Sequence, residues 1–149
     1  MAVPARGVHR SARILGPSSA AGARPSGRGG ELSLEDLHAA GAWAIIVGNG
    51  LAGAWALVAH GWPPARRRAL WWFTALAEMA LVAQVVLGVA LIQQGIEAPE
   101  FHLFYGFVAL ASVGIIYSYR QQLEPWRYLL YGFGGLFLMG LGLRAVFLA

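Results

Sequence analysis

The stretch "ALWWFTALAEMALVAQVVLGVALI", Ala69 to Ile92, holds a single charged side chain, Glu78. A helix needs roughly 20 apolar residues to cross the hydrocarbon of a bilayer, and this run supplies them. Three runs of the same kind flank it: Leu37 to Ala59, Phe101 to Tyr119 and Tyr128 to Ala149. The connections "HGWPPARRR", "QQGIEAPE" and "RQQLEPW" collect prolines and most of the charge between them. Trp71, Trp72, Trp126 and Tyr128 stand at the edges of the runs, where amphipathic rings favour the headgroup level. The pattern predicts an all-α integral membrane protein, a bundle of four transmembrane helices occupying residues 31–149. Ser33 and the acids after it, in "ELSLED", suit the start of the first helix.

The composition agrees. With 58% hydrophobic and 12% charged residues in 149, the chain is too apolar for an ordinary soluble domain and too short for two large ones. It has no cysteine, which excludes disulfides, thiolate zinc sites, iron–sulfur clusters and covalently attached c-type haem. Any metal chemistry must therefore use histidine, carboxylate or thioether ligands. All 11 basic residues are arginine, which with the many Ala and Gly residues suggests a GC-rich, bacterial coding sequence. The net charge of +4 does not indicate nucleic-acid binding, because the arginines lie in a tail and in loops beside apolar helices. Residues 1–30 combine Arg, Ser, Ala, Gly and Pro without a hydrophobic period, and are expected to be a disordered basic tail.

Arg66, Arg67, Arg68, Arg120 and Arg127 all fall on the side reached after helices one and three, whereas the loop between helices two and three has Glu97 and Glu100. Positive charge in short loops marks the cytoplasmic side. The expectation is a multi-pass plasma-membrane protein with its arginine loops inside and its termini outside, although Arg24 and Arg28 in the tail weigh weakly the other way. A two-plus-two repeat is also suggested: helices one and three both open with His, and helices two and four both carry a Leu-Gly pair near their ends.

His38 and His102 open alternate spans and so share one membrane face. In an up-down bundle, helices one and three are diagonal across the core, an arrangement that can hold a haem iron from both sides. Each histidine taken alone reads as an interfacial residue. Asn49 follows His38 by a turn of about 1,100°, which returns it to nearly the same, inward face. Gln84 and Glu78 are polar within helix two, and Glu78 sits near the bilayer centre, where a carboxyl needs a partner such as Asn49 or Ser112, or serves as a proton relay. His60 reads as interfacial. Arg144 reads as snorkelling to the headgroups, or as the partner of a haem propionate.

With these residues placed, the first three helices resemble one half of the haem A synthase family. Its halves are four-helix bundles with a helix opening "E-x-x-H" before a glycine, a helix ending "Q-x-x-L-G", and a third helix opening with His. Here these are Glu35 to His38 with Gly41, Gln84 to Gly88, and His102, in the same order. Ala39 stands where the family usually has Arg, and this chain has four helices where the family has eight. The resemblance implies a b-type haem held by His38 and His102, with Glu35 as a second-shell group or proton donor. Electron transfer or haem handling at the outer face is the leading expectation. The alternatives are a cofactor-free accessory subunit, packing the glycines of helix four (Gly132, Gly134, Gly135, Gly140, Gly142) on a larger membrane complex, or a small transporter using Glu78. A homodimer is a further possible partner arrangement.

Overall fold

Hydrocarbon offers no partner to a backbone N–H or C=O, so an apolar run that enters it closes its hydrogen bonds within a helix. The computed structural model describes residues 33–148 and contains four helices long and apolar enough to cross a membrane. They are α1 (Leu34–Gly61), α2 (Arg68–Gln93), α3 (Glu100–Tyr119) and α4 (Arg127–Phe147), with no strand among the described residues. The tail expected to be disordered lies outside these residues, as does Ala149.

The helix ends are set by local chemistry. Ser33 caps α1 in a reciprocal box: its hydroxyl accepts from the Asp36 N–H at 3.1 Å, and the Asp36 carboxylate accepts from the Ser33 N–H at 3.2 Å. At the other end Arg66 reaches back, donating from Nε to the Ala59 carbonyl and from Nη2 to the His60 carbonyl, both at 2.8 Å. These are carbonyls that the last turn of a helix leaves free. Single 3₁₀ turns at Pro63–Ala65 and Glu124–Trp126 make the connections after α1 and α3. Gly95 ends α2 with φ of +85°, a left-handed conformation that glycine adopts without a Cβ penalty. The Gly95 N–H then bonds the Ile92 carbonyl and the Ile96 N–H bonds that of Leu91.

The helices run up and down in sequence. Helix α1 packs on α2 and α4, α3 packs on α4, and α2 touches α3 only thinly, so α1 and α3 are diagonal as expected. The closest approach is between α1 and α4. A Cβ added to Gly53 would stand 2.7 Å from the Gly132 carbonyl oxygen, and one added to Gly135 would stand 2.7 Å from that of Asn49. In lipid, where burying apolar surface gives helices little reason to associate, such backbone contact is a main source of cohesion.

The contact corrects one expectation. The glycines of α4 do not form a free face: Gly132, Gly135 and Gly142 meet α1, Gly134 meets Ile116 of α3, and only Gly140 of the five has open space at its Cβ position. Nor is the packing twofold. The α2–α3 edge has no counterpart of the Gly53, Gly132 and Gly135 contact, and Gly106 and Gly114 of α3 face open space.

The outside of the bundle is apolar. Trp72, Leu76 and Met79 on α2, Phe107 on α3, and Phe133 and Phe147 on α4 are all more than half exposed. A water-soluble domain rarely shows apolar surface so continuously, whereas hydrocarbon solvates it.

Candidate functional site

The Ser33 cap fixes the start of α1 and places His38 in its second turn, at the end of the bundle where α2 finishes and α3 begins. The His38 ring lies on Gly88 of α2, with Cε1 3.1 Å from where a Cβ would be. One turn earlier on α2, the Gln84 side-chain amide donates to the His38 backbone carbonyl and lies across Gly41 of α1. The two glycines are thus reciprocal: Gly41 admits Gln84 to α1, and Gly88 admits His38 to α2. A side chain at Gly41 would displace the end of the Gln84 side chain, and one at Gly88 would need the His38 ring to give way.

His102 enters from α3. Its Nδ1 is 3.0 Å from the backbone carbonyl of Ala145 on α4. A carbonyl only accepts, so Nδ1 carries the hydrogen, and Nε2 keeps its lone pair. This anchoring of one ring nitrogen on a carbonyl is what typically orients a metal-binding imidazole. The two histidine rings come within 5.8 Å, centroid to centroid, with their planes at 60°. The His38 Nδ1 is buried and has no hydrogen-bond partner.

Around the pair, Glu35 is exposed one turn before His38. Arg144, also exposed, holds its guanidinium 5.7 Å from the centre of the Tyr105 ring, one turn after His102. Of the residues expected to act, Glu35, His38, Gln84, His102 and Arg144 therefore gather at one end. The others do not. Asn49, only 2% exposed, ties α1 to α2 by donating to the Ile45 carbonyl at 3.0 Å and the Ala77 carbonyl at 3.4 Å. Ser112 donates to the Val108 carbonyl of its own helix at 2.7 Å. The suggested partnership of either residue with Glu78 is not formed, because each finds a nearer backbone carbonyl; Glu78 is half-buried on α2. His60 stacks on Trp126 at the far end, 6.4 Å between ring centres and 27° between planes.

No known protein family, curated protein or solved structure matches the chain. The site is therefore read from its own atoms.

Among the described residues no group of three or more His, Cys, Asp or Glu side chains converges to hold a metal ion. A structural zinc site takes four protein ligands, so an opposed pair of imidazoles does not make one. The pair suits a metal that brings its remaining ligands with it, as the iron of a porphyrin does. Two imidazole nitrogens, each about 2 Å from one metal on opposite sides, hold their ring centres roughly 6 Å apart, close to the separation observed. In donor type and ring separation the pair is compatible with a haem iron.

Sequence reasoning missed two contributors. The Ala145 carbonyl is a backbone group, and no side-chain pattern announces it. Gly88 belongs to the quoted "Q-x-x-L-G", but its role as the seat of His38 needs the register of α1 on α2.

Proposed function

We propose that this chain is a small integral membrane protein that holds a b-type haem between His38 and His102 and serves electron transfer or haem handling. The observation that supports it best is the meeting of these two histidines, far apart in sequence, with one of them anchored through Nδ1 on a backbone carbonyl. When bound, the haem supplies a one-electron carrier. His38 and His102 would hold its iron. Ala145 keeps His102 in the tautomer that offers Nε2. Gln84 and Gly88 hold the α1 end against α2 and so set where His38 points. Arg144 is the propionate partner, at the rim beside Tyr105, and Glu35 is the nearby proton donor. The arginine loops face the cytoplasm, and the histidine end faces outward.

The test is a dithionite-reduced minus oxidised visible spectrum of the full chain, purified in mild detergent from cells that make haem. A sharp b-type α band is expected in the parent protein and absent in both His38→Ala and His102→Ala. A flat spectrum with haem in excess overturns the reading and leaves the cofactor-free accessory role.

A further inference from the structure

The opposite end of the bundle carries a second cluster that the haem reading does not use. Arg120 closes α3, Gln121 and Glu124 lie in the connection, and Arg127 opens α4. With Trp71 of α2 and Tyr131 of α4 they line a cleft of about 560 Å³. That volume is in the range of small-ligand sites.

The arginines at this end are not equivalent. Arg66 lies 5.1 Å from the centre of the Tyr128 ring but gives Nε and Nη2 to the Ala59 and His60 carbonyls that end α1, and Arg67 gives Nε to the Pro64 carbonyl of the α1–α2 connection at 3.5 Å. Arg120 and Arg127 rest on rings and make no side-chain hydrogen bond among the described residues: Arg120 lies 3.6 Å from the centre of the Tyr117 ring, and Arg127 lies 5.0 Å from Trp71 and 5.2 Å from Tyr128. Trp71 is itself braced by Tyr128 and Tyr131, each 5.3 Å away between ring centres. A guanidinium laid on a ring uses its face and keeps its N–H edge, which is the part that recognises a phosphate oxygen. The cleft thus presents two oriented donor edges.

Its charge narrows the ligand. Two guanidinium groups and the Glu124 carboxylate give the lining a net charge of +1. A phosphodiester, singly negative, balances that charge, whereas a phosphomonoester approaches −2 and meets Glu124 with excess negative charge. Its surroundings narrow the source. The cleft's aromatic lining is Trp71 and Tyr131, the ring types that settle at the headgroup level. The same Glu124–Trp126 turn borders an apolar groove of about 810 Å³ between α3 and α4, lined by Ile115, Leu129, Phe133 and Phe137. An acyl chain fits that lining, and a soluble phosphodiester has no use for it.

We propose that Arg120 and Arg127 form a binding site for the phosphodiester of a phospholipid headgroup in the leaflet at the arginine end. The site rests on the membrane-spanning arrangement and is independent of the histidines. Basic pockets between transmembrane helices are a known kind of lipid site in general.

The experiment is native mass spectrometry of the delipidated full chain, with phosphatidylglycerol added at rising concentration. One retained lipid is expected, with its apparent affinity at least tenfold weaker in Arg120→Gln/Arg127→Gln and unchanged in Arg68→Gln, which alters an exposed arginine outside the cleft. Glu124→Gln raises the lining to +2 and is expected to shift preference toward phosphatidic acid, a monoester. This gain of preference keeps the proposal testable if the double variant folds poorly. Equal retention by the parent and a folded double variant overturns the site. So does an equal loss in Arg68→Gln, which would mean diffuse charge. Displacement of the lipid by an equal concentration of glycerophosphoglycerol, the headgroup without chains, overturns the lipid assignment in favour of a soluble phosphodiester. The haem spectrum is expected to stay unchanged in all these variants, so the two readings fail separately.

Discussion

At the scale of single residues, the histidine end depends on two glycines and an amide as much as on the histidines. The Gly88 position is 3.1 Å from His38 Cε1, so Gly88→Val forces the ring off its seat. Overpacking of this kind costs typically about 1–3 kcal/mol. If His38 holds the proposed haem, Gly88→Val loses most of the α band although both histidines remain, and thermal unfolding followed by near-ultraviolet circular dichroism shows only a moderate fall in midpoint. An unchanged α band would separate His38 from the haem. Gln84→Leu removes one interhelical hydrogen bond, and such bonds in membranes average about 0.6 kcal/mol. The expected result is nearly parental stability, with a shifted haem midpoint potential by spectroelectrochemistry, because Gln84 fixes the backbone that carries His38. A large loss of stability with no shift in potential would mark Gln84 as a structural tie alone.

At the scale of the helices, cohesion is concentrated between α1 and α4. A side chain at Gly135 meets backbone atoms of Asn49 and Gly53, which have no rotamer to escape into. Gly135→Leu is therefore expected to cost at least about 3 kcal/mol, the upper end of ordinary overpacking, and Gly140→Leu, facing open space, close to nothing. Thermal unfolding of the two variants in the same detergent compares them, and equal midpoints would contradict the α1–α4 contact. The helices themselves were legible in the sequence, because run length and flanking Pro, Gly and Arg are local signals. Their partners were not. Glycine in an apolar run is equally consistent with an internal contact and with a partner protein, and only the register of α1 on α4 decides between them. The same limit applies to Glu78: its depth follows from counting residues along α2, but Asn49 and Ser112 turn to backbone carbonyls that no sequence pattern marks. The histidine pair was easier to foresee, since alternation of the spans puts His38 and His102 at one end whatever the packing.

At the scale of the whole molecule, the two ends differ in kind. One gathers two histidines and a glutamine; the other gathers arginines on aromatic rings. The proposed topology keeps the arginine-rich loops inside, because moving them across a membrane is opposed. The absence of cysteine makes the orientation simple to measure, since any introduced thiol is the only one in the chain. Gln94, beyond the end of α2, and Gln122, between α3 and α4, are both exposed and lie at opposite ends. In intact cells a membrane-impermeant maleimide is expected to label Gln94→Cys, and to label Gln122→Cys only after the membrane is permeabilised. The reverse pattern would put the histidines on the cytoplasmic side, so that electrons would be exchanged with cytoplasmic partners. Labelling of both positions in intact cells would contradict the membrane-spanning arrangement, and with it the lipid site at the arginine end.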